Sequence, residues 1–571
     1  MSWSLKKKAQ ALLAEEQGTI HKDWGGKIAI ALVYPNTYAV GMSNLGFQTI
    51  YWHLNQRPDV VCERVFLPEH EDVDELARTG TAPFSLESQR PLGDFHILGF
   101  SVTYEGDFIN VVRLLDLAGI PRRAAARRPH DPLVIMGGVC AFANPEPMAP
   151  FMDAIVVGEG EEIVGELVQA YRDCGGDRDT VTDALVGLAG MYVPDRYDVA
   201  YQDDGTLAAV TPRGAAPAVV VKRRLREVDR FETISMIKTP KAEYGHMALL
   251  EVGKGCGRGC RFCLEGQVYR PVRHRTVEAL GETVARLAKD PENTRIGLVG
   301  ACVSDYPWIG DLLKVIAENG MELSISSIRA DSLTDDLVAA LARGGHRTLT
   351  VAPEAGTERL RRVIRKVITN EQLYTACDLV RRYGIPNLKT YFMIGQPTET
   401  LEDVEAIADL AHRMLERLRV LDATGKPFGR LTISVSSFVP KPWTPFQWAP
   451  FDGADSLQKK LEIIKRGVRR LSNVRVLHEN PREAALQALL ARGDRRVAGF
   501  LELAADHAGD WRRALREWDG DNTMAFYTTR ARHIEERMPW DHFDVGVKSA
   551  GLMREWERAL AEDGAILAGA H

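Results

Sequence analysis

The stretch EVGKGCGRGCRFCLEGQ, residues 251–267, decides how this chain is to be read. It places cysteines at 256, 260 and 263, spaced C-x3-C-x2-C, just after the strand-like run MALLEVG. That spacing is too tight for a disulfide framework, but it brings three thiolates out of one short loop. Glycines 253, 255, 257 and 259 leave the backbone free to wrap around a compact object. Iron–sulfur clusters normally take four cysteines, so three thiolates on a four-iron cluster leave one iron open to a substrate or cofactor. The competing readings are a zinc knob completed by His246 or His274, and a buried cysteine cluster. The iron–sulfur reading accounts for the loop best.

With Phe262 before its third cysteine, this loop resembles the signature of the radical S-adenosylmethionine (radical SAM) superfamily. The resemblance implies a [4Fe–4S] cluster on Cys256, Cys260 and Cys263, with S-adenosylmethionine (SAM) chelated at the open iron. It further implies that one electron cleaves SAM to methionine and a 5′-deoxyadenosyl radical, which abstracts hydrogen from an unactivated C–H bond. The electron would come from a donor such as flavodoxin or ferredoxin.

Outward from the loop, residues 246–450 alternate strand and helix signals. RIGLVGAC, MELSISSIR, RTLTVAPE, LKTYFMIG and RLTISVSSFV read as strands, separated by helices such as LTDDLVAALARGG and TNEQLYTACDLVRRYG. With the strand entering the cysteine loop they make six β/α units, similar to the partial (β/α)6 barrel of radical SAM enzymes. Sites in such barrels lie at the carboxyl ends of the strands. The resemblance assigns Gly300 to a segment beside the SAM amino group. Ser326, Arg329 and Glu354 are assigned to polar contacts with SAM, and the loop at Gly395 and Pro397 to backbone support of adenine.

Upstream, residues 27–204 also alternate: KIAIALVYP, FHILGFSVTY, PLVIMGG and DAIVVGEG as strands, with helices at LGFQTIYWHLN, EGDFINVVRLLDLAG and EEIVGELVQAY. This predicts an α/β, doubly wound (Rossmann-like) parallel sheet with its ligand beyond the carboxyl ends of the strands. Those ends hold PNTYAVG, SVTYEGD, MGGVCAFANPEP and GEGE, rich in turn residues and polar groups. This half resembles the cobalamin-binding domain found ahead of many radical SAM domains. The resemblance implies cofactor contacts from Asn36, Tyr38, Gly41, Thr103, Gly137 and Gly138, with rim loops at 103–107 and 137–146. The histidine that classically coordinates cobalt is replaced by Tyr38, so cobalamin is expected without a histidine on the metal, Tyr38 packing below the corrin or holding a water.

The remaining segments are an N-terminal helical extension (1–26), a connector (205–245) and a helical C-terminal region (451–571). The connector run Lys222, Arg223, Arg224 and Arg226 reads by default as a solvated face, and alternatively as a seam or a phosphate-meeting patch. Arg492–Arg496 falls in an amphipathic helical stretch. PKPWTPFQW (440–448), with Trp443, Phe446 and Trp448, is expected to pack one domain onto another, the alternative being that it lines the barrel mouth.

A net charge of −6 gives no global sign of nucleic-acid or anionic-membrane binding. No apolar run approaches the ~18 residues of a membrane span, and the first residues lack the apolar core of a signal peptide. Eight cysteines without a pairing pattern suit a reducing cytoplasm. The first functional expectation is cobalamin-dependent methyl transfer to an unactivated carbon. The second is a radical rearrangement, cyclisation or C–S bond formation. Methylthio transfer would need a second cluster, and Cys62, Cys140 and Cys174 are far apart in sequence. The third is a non-catalytic iron–sulfur or zinc protein binding RNA through the basic connector.

Overall fold

The run IAIALVY, residues 28–34, is buried from its second residue to its last, as a strand covered on both faces must be. In the computed structural model, which describes residues 2–422, 425–518 and 523–562, it is the second strand in from one edge of a six-stranded sheet. The strands are β1 (Ile28–Tyr34), β2 (Val60–Phe66), β3 (Ile97–Ser101), β4 (Leu133–Gly137), β5 (Ala154–Val156) and β6 (Met191–Tyr192). Their order is β2-β1-β3-β4-β5-β6, parallel throughout except β6, which runs antiparallel to β5. The winding reverses between β1 and β3, and such a switch point opens a crevice at the carboxyl ends of the two strands. The expected doubly wound sheet is therefore present. Helices Leu45–Gln56, Phe108–Leu117 and Gly160–Asp173 match the expected segments, and Trp3–Ala14 forms the N-terminal helix.

β2 has no counterpart in the sequence reading, because VVCERVF carries two charges through the middle of a strand. Both are buried and matched. Arg64 donates to Glu16 at 2.6 Å and to Glu87 at 2.7 Å, while Glu63 accepts from Trp24, Ser85 and Ser88. Burying charge is tolerable only with such complete pairing.

The connector and the residues just before it hold more structure than expected. β7 (Tyr197–Tyr201) and β8 (Leu207–Pro212) form an antiparallel hairpin, and β9 (Val220–Val221) pairs with residues 543–544. The default of a solvated basic run needs correcting at Lys222, which is buried 3.6 Å from Glu159. Arg223 pairs with Glu162 and Glu166, and only Arg226 is exposed. Glu159 and Glu162 come from the GEGEE segment after β5 and Glu166 from the helix it starts, so this segment serves as a seam.

The second set of parallel strands begins with β10 (Ala248–Glu251), and the short β11 (Gly253–Lys254) and β12 (Arg273–His274) pair across the base of the cysteine loop. Then follow β13 (Arg295–Val299), β14 (Glu322–Ile325), β15 (Thr348–Glu354), β16 (Asn387–Ile394), β17 (Arg430–Ser437) and β18 (Val474–His478). One sheet is β10-β13-β14 and the other β15-β16-β17-β18, with a parallel bridge from Ile328 to Val351 between them. All six expected strands form. β18 is a seventh, parallel to β17, within a stretch expected to be helical.

The chain divides into two compact units. The first comprises Met1–His246, Leu490–Thr523 and Glu535–Gly546; the second comprises Met247–Leu489, Met524–Ile534 and Val547–His571. The residues after 451 are thus shared between the units, and 563–571 lie outside the described residues. Arg492–Arg496 joins helices Pro481–Arg492 and Val497–Asp506, and Gly493–Arg496 is not helical. Trp443, Phe446 and Trp448 are buried, with Phe446 edge-on to Phe438 and Trp556, as a packing role requires. No helix among the described residues is long and apolar enough to cross a membrane.

Candidate active site

The cysteine loop leaves the carboxyl end of β10, and its shape is set by close backbone contacts. Gly255 has φ +84°, and a Cβ there would sit 2.4 Å from the Tyr269 carbonyl oxygen, so no larger residue fits. Arg261, almost wholly buried, anchors the loop from beneath. It donates to the Val363 carbonyl at 2.7 Å and reaches Glu555 and Glu562 at 3.2 Å each. Phe262 packs into the apolar cluster around Phe438 and Phe446. The sequence reading noted Phe262 and missed Arg261, because one arginine in a glycine-rich loop carries no signal of its long-range partners.

The three thiols lie near enough to influence one another's ionisation. Burial pushes Cys263 up to about 12, against a 3.4 Å hydrogen bond donated by the Gly266 N–H. Burial also raises Cys260, opposed by the nearby cations of Lys366 and Arg329. Among the described residues, no three His, Cys, Asp or Glu side chains converge on one metal ion. In particular, His274 packs against the rings of Tyr306 and Trp308. Three thiols on one loop, an amide donor and two facing cations fit a thiolate-held anionic cluster.

The loops after the next three strands gather at the same edge. Gly300 follows β13 with Val252 and Val303 beside it, and Cys302 is close enough to feel the Cys256 thiol. After β14, Ser326 is exposed, and Arg329 grips Asp331 through two 2.9 Å bonds, with Nη1 3.9 Å from Cys260 Sγ. Asp331 also accepts from Arg258, which binds Asp305 at 2.5 and 2.6 Å. Arg329 is thus already paired within the loop system. Glu354, at the end of β15, adopts φ +67° and accepts from Lys366 at 2.7 Å. A non-glycine residue held there stores local strain, which collects at functional sites. Gly395 ends β16 at φ +84°, its N–H donating to Glu399 at 2.7 Å. Beside it the buried Gln396 donates to the carbonyls of Glu354 and Met393, while its own Oε1 has no partner among the described residues. An unsatisfied buried acceptor marks a place for a ligand donor. Gln396 lies within the loop expected to give backbone support to adenine, but the sequence assigns its side chain no role.

In the first unit, the switch point brings several expected residues together. Asn36 donates to Asp107 at 2.8 Å, and Tyr34 and Thr103 share a 3.0 Å hydrogen bond, both pairs spanning β1 and β3. Gly137 ends β4. Gly138, at φ +100°, brings that loop so close to β3 that a Cβ would lie 2.3 Å from the Val102 oxygen. Gly41 faces the Phe66 ring, and Val40 and Tyr104 are 46% and 45% exposed. Tyr38 is placed differently from expectation. Its hydroxyl donates to Glu16 at 2.6 Å and lies 3.0 Å from Thr239, and its ring packs against Phe66. The phenol joins the buried Arg64 network, which fixes its direction. His96 accepts the Ala29 N–H at the amino edge of the sheet, and His53 ends a helix running back to that edge.

Two protein-family descriptions match the chain: radical SAM proteins, N-terminal, over residues 46–194, and the radical SAM superfamily over 250–411. An uncharacterized protein of Methanocaldococcus jannaschii, MJ0966, is 28% identical over 475 residues, 83% of this chain and 90% of its own. An uncharacterized methyltransferase of Pyrococcus horikoshii is 26% identical over 52% of this chain and 62% of its own length. A tRNA-2-methylthio-N(6)-dimethylallyladenosine synthase of Deinococcus radiodurans is 23% identical, over 52% and 58%. Among solved structures, the radical SAM methyltransferase TsrM of Kitasatospora setae, with cobalamin and a [4Fe–4S] cluster bound, aligns over 74% of both chains at 14% identity and TM-score 0.47. OxsB, a cobalamin-dependent SAM radical enzyme, aligns over 95% of this chain and 81% of its own at 14% identity and TM-score 0.45.

Proposed function

The chain belongs to the radical SAM superfamily, and from that premise we propose that Cys256, Cys260 and Cys263 hold a [4Fe–4S] cluster in a cobalamin-dependent methyltransferase acting on an unactivated carbon. The observation that carries the cluster assignment is the three-thiol loop at the carboxyl edge of β10, faced by Arg329, Lys366 and the Gly266 N–H. What the cluster supplies when bound is the electron that cleaves SAM to methionine and a 5′-deoxyadenosyl radical. The residues around it position and balance charge. Arg329 and Lys366 offset the negative thiolates, and Asp331 holds Arg329 in place. Glu354 faces the same edge from β15 and is tied to Lys366. Gln396 Oε1 is free to accept from a ribose hydroxyl or an adenine amine. Ser326, exposed after β14, and Gly300 complete a polar, close-fitting rim for SAM. A small flavodoxin- or ferredoxin-like donor supplies the electron.

The switch-point crevice of the first unit supports cobalamin, with Val40 and Tyr104 as apolar surface and Gly137–Gly138 as the closely packed floor. Cobalamin, when bound there, supplies the methyl group. Tyr38 is held in the Arg64 network by Glu16 and would not be available as a ligand to a bound cobalamin. A radical reaction without cobalamin is the second reading, favoured by the rim groups Asn36, Asp107, Tyr34 and Thr103 already satisfying one another. Methylthio transfer gains no support from the upstream cysteines, since Cys62 lies inside β2, Cys140 in helix Val139–Ala143 and Cys174 at the end of helix Gly160–Asp173.

Anaerobic reconstitution with iron, sulfide and hydroxocobalamin, followed by gel filtration, separates the two readings. Methyl transfer predicts about one cobalamin retained per chain, with no nitrogen coupling in the electron paramagnetic resonance of the reduced cobalt. Loss of all cobalamin on the column contradicts it.

A further inference from the structure

Strand alternation in the second unit exposes a surface that contains none of the residues assigned above to the cluster or SAM. Along β16 and β17 every second residue is buried: Leu388, Phe392 and Ile394 on one strand, Leu431, Ile433 and Val435 on the other. Helices Asn370–Arg382, Leu401–Leu418 and Ala454–Val468 cover that face. The opposite face looks into the open barrel. A closed barrel fills this face with Val, Ile and Leu. Here it carries Lys389 and Tyr391 on β16, Arg430, Ser434 and Ser436 on β17, and Arg475 on β18. Register places Lys389, Thr432 and Arg475 in one row across three strands, with Arg430 one row nearer the amino edge. Tyr391 and Ser434 form the next row up.

The charges on this face are unbalanced. Among the described residues, Lys389, Arg430 and Arg475 make no ion pair or hydrogen bond through their side chains. Many other basic side chains of the molecule are paired with carboxylates. Lys389 Nζ instead rests 4.6 Å from the centre of the Tyr391 ring, and that ring is 36% exposed. Three uncompensated cations beside an exposed aromatic plate complement an anion joined to a flat apolar body. Three charges in two adjacent rows suit one or two anionic groups, whereas a nucleic-acid backbone needs a longer basic track.

We propose that the inner face of β16–β18 is the substrate surface, and that it takes a small molecule whose carboxylate or phosphate is held by Lys389 and Arg475 while its planar body lies on Tyr391. This deepens the radical SAM reading and rests on it for the word substrate. At ~3.3 Å per residue, Lys389 lies roughly 15 Å below the carboxyl end of β16, so the anionic group is far from the carbon that reacts. The substrate is therefore elongated, anchored deep in the barrel by its charge.

Isothermal titration calorimetry on the full-length chain with 1-naphthyl phosphate, 1-naphthoate and neutral 1-methoxynaphthalene tests this. The phosphate or the carboxylate is expected to bind, whichever is tighter naming the anion, and the neutral ether to bind at least tenfold more weakly. The double variant K389Q/R475Q is expected to lose tenfold or more in affinity for the anion, and K389R/R475K to stay within about threefold of wild type. Equal binding of the ether and the anions, or an unchanged affinity in K389Q/R475Q, overturns the proposal. If K389Q/R475Q does not fold, the three-ligand comparison on the wild type still decides. No electron transfer or SAM enters this assay, so it can fail while the cluster assignment stands, and the reverse.

Discussion

Asp107 shows how much a single buried group at the switch point contributes to stability. It is 4% exposed, and burial pushes its carboxyl up to about 6, against the hydrogen bonds donated by Asn36 and Asn110. The folded state therefore favours the protonated acid. Its contribution is fully present below the unfolded value near 4 and is lost as pH rises through about 6, of order 3 kcal/mol in all. Asp107→Asn keeps an acceptor and removes the titration, so the fall in urea midpoint between pH 4 and 7 should flatten; equal slopes in variant and wild type would contradict this. Glu146 has the opposite sign. Burial raises its carboxyl, but Arg495 at 2.7 Å and His542 outweigh burial and hold it at about 2. That stability is present above pH ~4.5 and lost as pH falls towards 2. Arg495→Gln leaves a buried carboxylate without its cation and should cost about 3–5 kcal/mol at pH 7, measured by urea unfolding. A loss under 1 kcal/mol would show that the pair is solvated. The sequence places Asp107 and Glu146 in expected rim loops, but shows neither their burial nor their partners. Their burial depends on partners dozens to hundreds of positions away.

At the scale of elements, the strands that announced themselves were the uninterrupted apolar runs. β1, β4 and β13 are fully or mostly buried, and composition alone marks such strands. β2 was hidden by Glu63 and Arg64, and β18 by its brevity and by Arg475, which points to the open face of the barrel. The helix Leu401–Leu418 carries a reciprocal cap at its start. Thr400 accepts from the Asp403 N–H, and the Asp403 carboxylate accepts from the Thr400 N–H in return. The same carboxylate also binds Thr357 and Arg359, tying the helix to the segment after β15. Thr400→Ala should cost about 1 kcal/mol, as a lost cap does. Asp403→Ala should cost clearly more, about 2–3 kcal/mol, because it strands Arg359 as well. Equal losses in chemical denaturation would mean that the links to Thr357 and Arg359 contribute nothing.

Across the whole molecule, the cysteine spacing and the two alternating β/α patterns made the parallel sheets of each unit and the position of the cysteine loop legible from sequence. The partition of the chain was not. Residues 490–523 and 535–546 belong with the N-terminal unit, and 524–534 and 547–571 with the other. Helical periodicity shows that a helix has an apolar face but not which sheet that face covers. Within the second unit this late return matters, because Glu555 and Glu562 from near the C-terminus hold Arg261 under the cysteine loop. The account stands or falls on that loop. Its most direct test is anaerobic incubation of the iron- and sulfide-reconstituted chain with SAM and dithionite, with mass spectrometric detection of 5′-deoxyadenosine, for the wild type and for the variant with Cys256, Cys260 and Cys263 all changed to Ala. The account predicts 5′-deoxyadenosine and about four irons per chain in the wild type, and neither in the variant. A wild type that carries four irons yet forms no 5′-deoxyadenosine, or a variant that keeps its iron, would contradict it.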